Sequence, residues 1–454
     1  MTDSAGPPEP TPLGPGTGSS PTGAWRGRRR RRWLRYSAVG AAFVVLVTAG
    51  AGWIAYEKLN GNITEDTAAA DELARYDKER PTVLVAGAQN LLIIGSDSRA
   101  GANAKYGRND GTQRSDTTIL LHVAADRKSA TALSIPRDLM VHVPSCGKPG
   151  GGRTEPMFVM FNSAFELGGS ACTIRTVEKL TGIRINHHMI VDFQGFKKMV
   201  DAVDGVQVCL AKPIDDKDAH LKLPAGRQTL NGEQALGYVR ARKTLGNGSD
   251  TERMDRQQRF LGALIQKVQS NGVLLNPAKL YPVLDAATSS LTTDPGLASL
   301  HGLYDLVRGL RGIPADRIQF LTVPREPYVY NANRDQLVQP AADQLFARLR
   351  ADEPVVVAKT SPARHLAGSD TAYQERGENR GQDQYGDSDS DSDSGNGNGN
   401  GNGNGSYVDS YDGAYDDAYD DSYDDGKPLG PSDSPSPSPA PTFRGNTAAQ
   451  KECG

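Results

Sequence analysis

Residues 90–99 read NLLIIGSDSR, and this stretch decides the fold. Asn90–Gly95 is a short apolar run closed by glycine, the pattern of a buried strand. Asp97 and Arg99 follow at once, so an acid and a guanidinium stand where the strand ends. Two similar runs come next, Thr117–Ala124 (TTILLHVA) and Ala130–Ile135 (ATALSI). Later, strand-like Val206–Leu210 and Ile318–Val323 alternate with helical spacing at Ala171–Leu180, Phe196–Val203, Asn231–Arg240, Arg253–Gln269, Pro277–Thr288 and Gly296–Leu310. Gly182 and Gly205 close two of these helices and Asn231 caps a third. The pattern predicts an α/β domain, a central mixed sheet sandwiched by helices.

Working outward, an uncharged stretch from Ser37 to Tyr56 follows Arg26, Arg28, Arg29, Arg30, Arg31, Arg32 and Arg35. Twenty helical residues rise about 30 Å, the thickness of the bilayer hydrocarbon. Arginines flanking a span stay in the cytoplasm. The expected layout is a disordered basic cytoplasmic segment (1–35), a transmembrane helix (36–57), a linker or stalk (58–84), an extracytoplasmic catalytic domain (85–357) and a disordered acidic tail (358–454). The expected localisation is therefore the cell membrane, single-pass, with the N-terminus inside. The rival is a signal peptide cleaved near Ala49-Gly50-Ala51. The arginine run is read as a topology signal, and no nucleic-acid partner is expected.

The tail alternates Asp with Ser at Asp387–Asp393 and Gly with Asn at Gly395–Gly405, then repeats Tyr-Asp-Asp units. Such composition buries too little apolar surface to offset its ordering entropy. None of Cys146, Cys172, Cys209 and Cys453 forms a CxxC pair, which argues against zinc-ribbon and thioredoxin chemistry. Outside the membrane disulfides are permitted; Cys146 with Cys172 is the favoured pair, with buried thiols as the alternative.

Four segments place acids and arginines at element ends: Gly95–Arg99, Arg114–Thr117, Ser134–Asp138, and Tyr238–Arg242 followed by Asp250, Arg253 and Gln257. Strand ends form the rim where ligands sit in covered α/β sheets. Paired carboxylates there, Asp97 and Asp116, either hold a hard cation or act as acid and base. Arg99, Arg114, Arg137, Arg240, Arg242 and Arg253 around them imply a polyanion, because guanidinium groups grip phosphate bidentately. Asp250 also reads as the N-cap of the following helix. His187-His188 has no HExxH context and reads as structural or exposed. No GxSxG, P-loop or GxGxxG motif follows a strand in the required context, so serine-hydrolase and NTPase readings have no support.

Together these segments resemble the LytR-CpsA-Psr family of wall-polymer ligases, from about Leu91 to Arg325. The likeness includes GSDSR, RSDT, SIPRD, FNSAFELGG (Phe161–Gly169), LTGI (Leu180–Ile183), VDFQGF (Val191–Phe196), LNGEQALGYVRAR (Leu230–Arg242) and RQQRF (Arg256–Phe260). The resemblance implies a phosphotransferase that moves a glycopolymer from a polyprenyl diphosphate to a peptidoglycan hydroxyl. It implies an apolar tunnel for the lipid and Mg²⁺, with Mn²⁺ as the substitute, held by Asp97 and Asp116. The catalytic set it implies is Asp97, Asp116, Arg137, Arg240, Arg242 and Asp250. The diphosphate set is Arg99, Arg114, Arg137, Arg240, Arg242, Arg253 and Gln257. A base, where one is needed, is Asp116 or Asp138. Gly101–Thr112 is a candidate lid, and the insertion around Gly147–Thr154 leaves the neighbouring rim undefined. The competing readings are a prenyl-phosphate carrier without turnover, a membrane-bound regulator and a prenyl pyrophosphatase.

Overall fold

The structure, a computed structural model, describes residues 24–97, 114–241, 250–269, 277–359 and 442–450. The chain divides into a unit of Met1–Thr360 with Pro441–Gly454, and a second, Ser361–Ala440, outside the described residues. Nine helices are described: α1 (Ala24–Gly61), α2 (Thr67–Arg75), α3 (Ser163–Thr181), α4 (Phe193–Ala202), α5 (Gly232–Arg240), α6 (Asp250–Gln269), α7 (Pro277–Thr288), α8 (Leu300–Arg311) and α9 (Ala341–Arg350).

Among the described residues the main sheet has nine strands: β1 (Thr64–Glu65), β2 (Gln89–Ser96), β3 (Ser115–Val123), β4 (Ala130–Ile135), β5 (His187–Val191), β6 (Leu291–Thr293), β7 (Ile318–Thr322), β8 (Val356–Lys359) and β9 (Thr442–Thr447). Their order across the sheet is β1-β6-β5-β2-β3-β4-β7-β9-β8. β2, β3 and β4 form an antiparallel centre, with Leu92 opposite Leu120 and Leu120 opposite Leu133. β5 runs parallel to β2, and β7 parallel to β4. The sheet is therefore mixed, as the expected fold class has it.

Side chains alternate across a strand, so one apolar run feeds two layers. Leu92, Ile94, Leu120 and Leu133 pack with Phe161, Ile174 and Val177 around α3, and with Phe346 of α9. On the opposite face Ile119, Ala132, Ile318 and Phe320 meet Leu261 and Ile265 of α6. Each fully buried aliphatic side chain contributes roughly 1.5–3 kcal/mol. A third cluster joins α4, α5 and Phe260 to the strand pair Val206–Leu210 and Gly226–Leu230. The caps hold α5 as its sequence suggests: the Asn231 side chain accepts from the Gln234 backbone, and the Gln234 side chain accepts from the Asn231 backbone.

Both flanks of the domain correct the sequence reading. Residues 58–84 are not a free stalk. Thr64 and Glu65 pair with Thr292 and Thr293, and Ala69 and Leu73 of α2 join the core. The Asp66 carboxylate, which caps α2, also accepts hydrogen bonds from Ser170 and His188. Burial pushes the Asp66 carboxyl up, but those bonds outweigh it and hold it below its ordinary value. His187 pairs with Asp294 in the same way; the two histidines are structural. Nor is 358–454 wholly a tail. β9 inserts between β7 and β8, burying Phe443 and Ala448. A low-complexity context hid this six-residue strand.

Helix α1 starts at Ala24, earlier than the expected 36–57, because arginine is a good helix former and the basic run continues the apolar one. Arg35–Gly61 is long and apolar enough to cross a membrane, and its most apolar window is 0% buried. Phe43, Val45 and Leu46 lie exposed along it. This N-terminal helix fits a single-pass anchor. Cys146 and Cys172 form the favoured disulfide, 26 residues apart in sequence. Cys209 is also disulfide-bonded. Cys453 lies outside the described residues.

Candidate functional site

The strand directions gather chemistry at one end of the sheet. β2 ends at Ser96, β3 begins at Ser115, β4 ends at Ile135 and β5 ends at Val191. Because β3 runs against β2 and β4 while β5 runs with β2, these termini share an edge. Asp97, Asp116, Arg137 and Asp192 thereby arrive together from distant points in the sequence. Gly95 allows the tight crossing there: a Cβ at that position would lie 3.2 Å from the Thr117 Cβ.

Beneath that edge lies a cavity of about 670 Å³ between the sheet and helices α4, α5 and α6. Its floor is apolar: Ile93, Ile119, Met189, Phe196, Leu236, Val239, Phe260 and Leu264. Its polar lining comprises Ser96, Asp116, Thr117, Arg137, Asp192, Asp216, Asp218, Arg240, Arg253 and Gln257. Of the residues singled out from sequence, the structure brings Asp116, Arg137, Arg240, Arg253 and Gln257 to this one cavity.

Each is held by identifiable contacts. Arg137 Nη1 donates to Asp116 Oδ1 at 3.0 Å, and its Nε donates to Asp138 Oδ2 at 3.3 Å. Asp138 in turn faces Arg334 at 3.7 Å. The Arg240 guanidinium stacks on the Phe193 ring, 4.6 Å from its centroid. Such stacking orients a cation. Arg253, on the second turn of α6, is only 5% exposed. Gln257 Nε2 donates to the Val239 carbonyl at 3.2 Å, joining α6 to α5.

Asp97 and Arg114 stand beside the cavity and are not among its lining residues. The Arg114 backbone donates to Asp97 Oδ1 at 2.7 Å, and its Nε donates to Glu166 Oε2 at 2.9 Å. The Arg114 guanidinium thus faces Glu166 of α3, a residue inside the FNSAFELGG segment that the sequence reading gave no role of its own. Arg99, Arg242 and the Gly101–Thr112 segment lie outside the described residues. Asp250 is the first residue of α6, and its side chain is outside them too.

Sequence reasoning missed several contributors. Asp192 caps α4, accepting from the Gly195 backbone at 2.7 Å, and lines the cavity as well. Asp216 and Asp218 reach the cavity from a short loop whose Asp216 carboxylate accepts from the Asp218 and Ala219 backbones. Within RQQRF the neighbours divide the labour. Arg256 donates to the Ala241 carbonyl at the end of α5, and burial pushes its guanidinium down from its ordinary value. Gln258 pins α6 to the sheet by donating to Ser134 Oγ and the Leu321 carbonyl. Helical periodicity was the available signal: it separates Arg253, Gln257 and Phe260 from Gln258.

A polyanion with a greasy extension suits this arrangement. Three arginines and four aspartates line its polar part, and aromatic and aliphatic side chains its floor. Asp97 and Asp116 offer two carboxylates on neighbouring strands. Among the described residues no group of three or more His, Cys, Asp or Glu is placed to hold a metal. Two carboxylates still fit Mg²⁺, which takes one or two from protein and the rest from phosphate and water.

Comparison with known proteins gives the following. The sequence pattern of the LytR-CpsA-Psr family matches residues 58–351. Cell wall biosynthesis protein LcpA of Corynebacterium glutamicum is 33% identical over 310 residues, covering 62% of this chain and 58% of that protein. Probable cell wall biosynthesis protein LcpB of the same organism is 39% identical over 230 residues, covering 49% and 52%. The polyisoprenyl-teichoic acid–peptidoglycan teichoic acid transferase TagT of Bacillus subtilis is 28% identical over 327 residues, covering 68% of this chain and 92% of that one. The chain thus spans little more than half the length of the two Corynebacterium proteins.

Proposed function

This chain belongs to the LytR-CpsA-Psr family, and on that footing we propose that it is a membrane-anchored phosphotransferase. It moves a phosphate-linked glycopolymer from a polyprenyl diphosphate carrier to a hydroxyl of peptidoglycan and releases polyprenyl phosphate. The observation that carries this reading is the single cavity that joins Asp116, Arg137, Arg240, Arg253 and Gln257 to an apolar floor.

Phosphoryl transfer needs alignment and charge neutralisation more than covalent help from the protein. The floor takes the prenyl chain; each buried CH₂ is worth about 0.8 kcal/mol, so chain length sets affinity. Arg137, Arg240 and Arg253 neutralise the diphosphate, and Gln257 fixes an oxygen or the α5 terminus. Asp97 and Asp116 would hold Mg²⁺ or Mn²⁺, which supplies further positive charge at the diphosphate. The acceptor oxygen attacks the sugar-proximal phosphorus as the bond to the bridging oxygen breaks. The hydroxyl proton passes to Asp116 or Asp138, and the electron pair leaves with prenyl phosphate. An extracytoplasmic orientation is supported by the arginines before the span and by the disulfides beyond it.

The test uses the full chain in nanodiscs with a prenyl diphosphate-linked polymer, insoluble peptidoglycan and Mg²⁺. Expected are covalent polymer in the wall fraction and released prenyl phosphate, both lost in Asp116→Ala. Binding without turnover would instead identify a carrier. Prenyl phosphate release with no polymer attached, acceptor present or absent, would identify a pyrophosphatase.

A further inference from the structure

Beside the rim, on its Asp138 side, four aromatic rings form a continuous row outside the cavity. His142 and Phe158 stand opposite each other on the hairpin Met140–Val143/Met157–Met160, with centroids 4.8 Å apart. Phe158 meets Tyr328 at 6.0 Å, and Tyr328 meets Tyr330 at 5.4 Å on the second hairpin, Arg325–Tyr328/Asn331–Leu337. The row is open to solvent: Phe158 is 43% exposed, Tyr330 85%, and Val329 between the tyrosines 71%. Aromatic surface held in water is costly, and contiguous patches of it mark contact sites.

The row is tied to the rim. The Asp335 backbone donates to the Asp138 carbonyl at 3.1 Å, and Arg334 faces the Asp138 carboxylate, which Arg137 also contacts. Arg325 of the same hairpin pairs with Asp335 and donates to Thr251 at the start of α6. A ligand lying on the rings is thereby indexed to the place where Arg137 and Asp116 stand.

We propose that this row is a docking platform for the acceptor glycan strand. The proposal rests on the transfer reading above and adds to it the side from which the acceptor arrives. Sugar rings present apolar C–H faces that stack on aromatic rings, and hydroxyl and amide edges that need polar partners. The platform supplies both, since the Glu326–Gln336 pair and Asn331 fringe the tyrosines. Its charge argues against an anionic polymer. The residues 325–337 carry two arginines, one glutamate and one aspartate, which balance. A neutral or weakly charged glycan fits, whereas the diphosphate end of the donor belongs with the arginines of the cavity.

The experiment sediments the full chain, in nanodiscs, with insoluble peptidoglycan and measures prenyl diphosphate binding in parallel. Phe158→Ala with Tyr330→Ala is expected to weaken retention about tenfold, roughly 1.4 kcal/mol. Prenyl diphosphate affinity should stay at the wild-type level, the acceptor KM should rise, and kcat at saturating acceptor should hold. Tyr330→Trp should keep retention. Wild-type retention in the double variant, or a parallel loss of prenyl diphosphate binding, overturns the platform. So does retention of the double variant that is lost only when a contaminating wall protein is removed. If glycan retention depends on the rings while no polymer is transferred by the wild-type chain, the platform stands and the transferase reading falls.

Discussion

The two ends of the cavity are built by different means. The polar end is assembled at the ends of elements, each carrying a short motif: Asp116 at the start of β3, Arg137 just after β4, Arg240 closing α5. The floor is assembled from side chains facing inward along strands and helices, such as Ile93, Ile119, Val239 and Leu264. The polar end depends on a few charge contacts at about 3 Å. The floor depends on many weak contacts and on where α6 lies. The difference teaches that one end should fail by single substitutions and the other by displacement of a wall.

The largest expected effect is at the polar end. Arg137→Ala removes the guanidinium that joins Asp116 to Asp138 and should lower polymer transfer about 10²–10³-fold, the usual cost of one charge-stabilising group. Stability should change little, because Arg137 is partly exposed. An equal loss of thermal stability would show that the two ends are not separable.

The next effect concerns the wall. Gly262 of α6 lies against Ala448, where a Cβ would come within 3.2 Å of the Ala448 Cα. β9 therefore backs α6 from behind. A chain ending at residue 360 loses the buried Phe443, worth roughly 1.5–3 kcal/mol, along with the hydrogen bonds of β9. Its melting temperature should fall by several degrees, and long-chain prenyl diphosphates should bind more weakly than to the full chain. An unchanged melting temperature would return these residues to the status of a loose tail.

A smaller effect sharpens the floor itself. Leu264→Trp should fill part of the cavity and weaken a long-chain prenyl diphosphate about tenfold, leaving a short-chain diphosphate unaffected when both are measured by calorimetry. Equal losses for both lengths would mean that the tail does not lie there.

The smallest effect is a control away from both ends. Burial lowers the His122 imidazole from its ordinary value of 6.5, against the pull of Asp352. The unfolded chain therefore takes up this proton first. The stability tied to neutral His122 is complete above pH 6.5 and declines as pH falls below it. Melting temperature between pH 7.5 and 5.5 should drop in the wild type and drop less in His122→Asn. Activity at saturating substrate should not follow that difference.

The comparison also explains what was legible in the sequence. β4 appears as its run ATALSI suggests, and α5 starts at its Asn231 cap, because both signals are local. The motifs of the polar end were legible only together: each acid–arginine pair alone reads as a solvated turn, and their order along the chain carried the signal. β1 was not, since two residues of strand carry no periodicity; its pairing with β6 spans more than two hundred residues. β9 was not, because its context is low-complexity and its partners lie far upstream. Asp192 stood unremarked inside VDFQGF; the fold shows it both capping α4 and lining the cavity. Arg114 was assigned by motif alone, and only the fold shows Glu166 beside it.

The most direct test is calorimetric titration of the full chain with prenyl diphosphates of increasing length, with and without Mg²⁺. The account predicts binding that tightens with each isoprene, strengthens with Mg²⁺ and weakens at every length in Arg137→Ala. Affinity indifferent to chain length, or unchanged in Arg137→Ala, would contradict it.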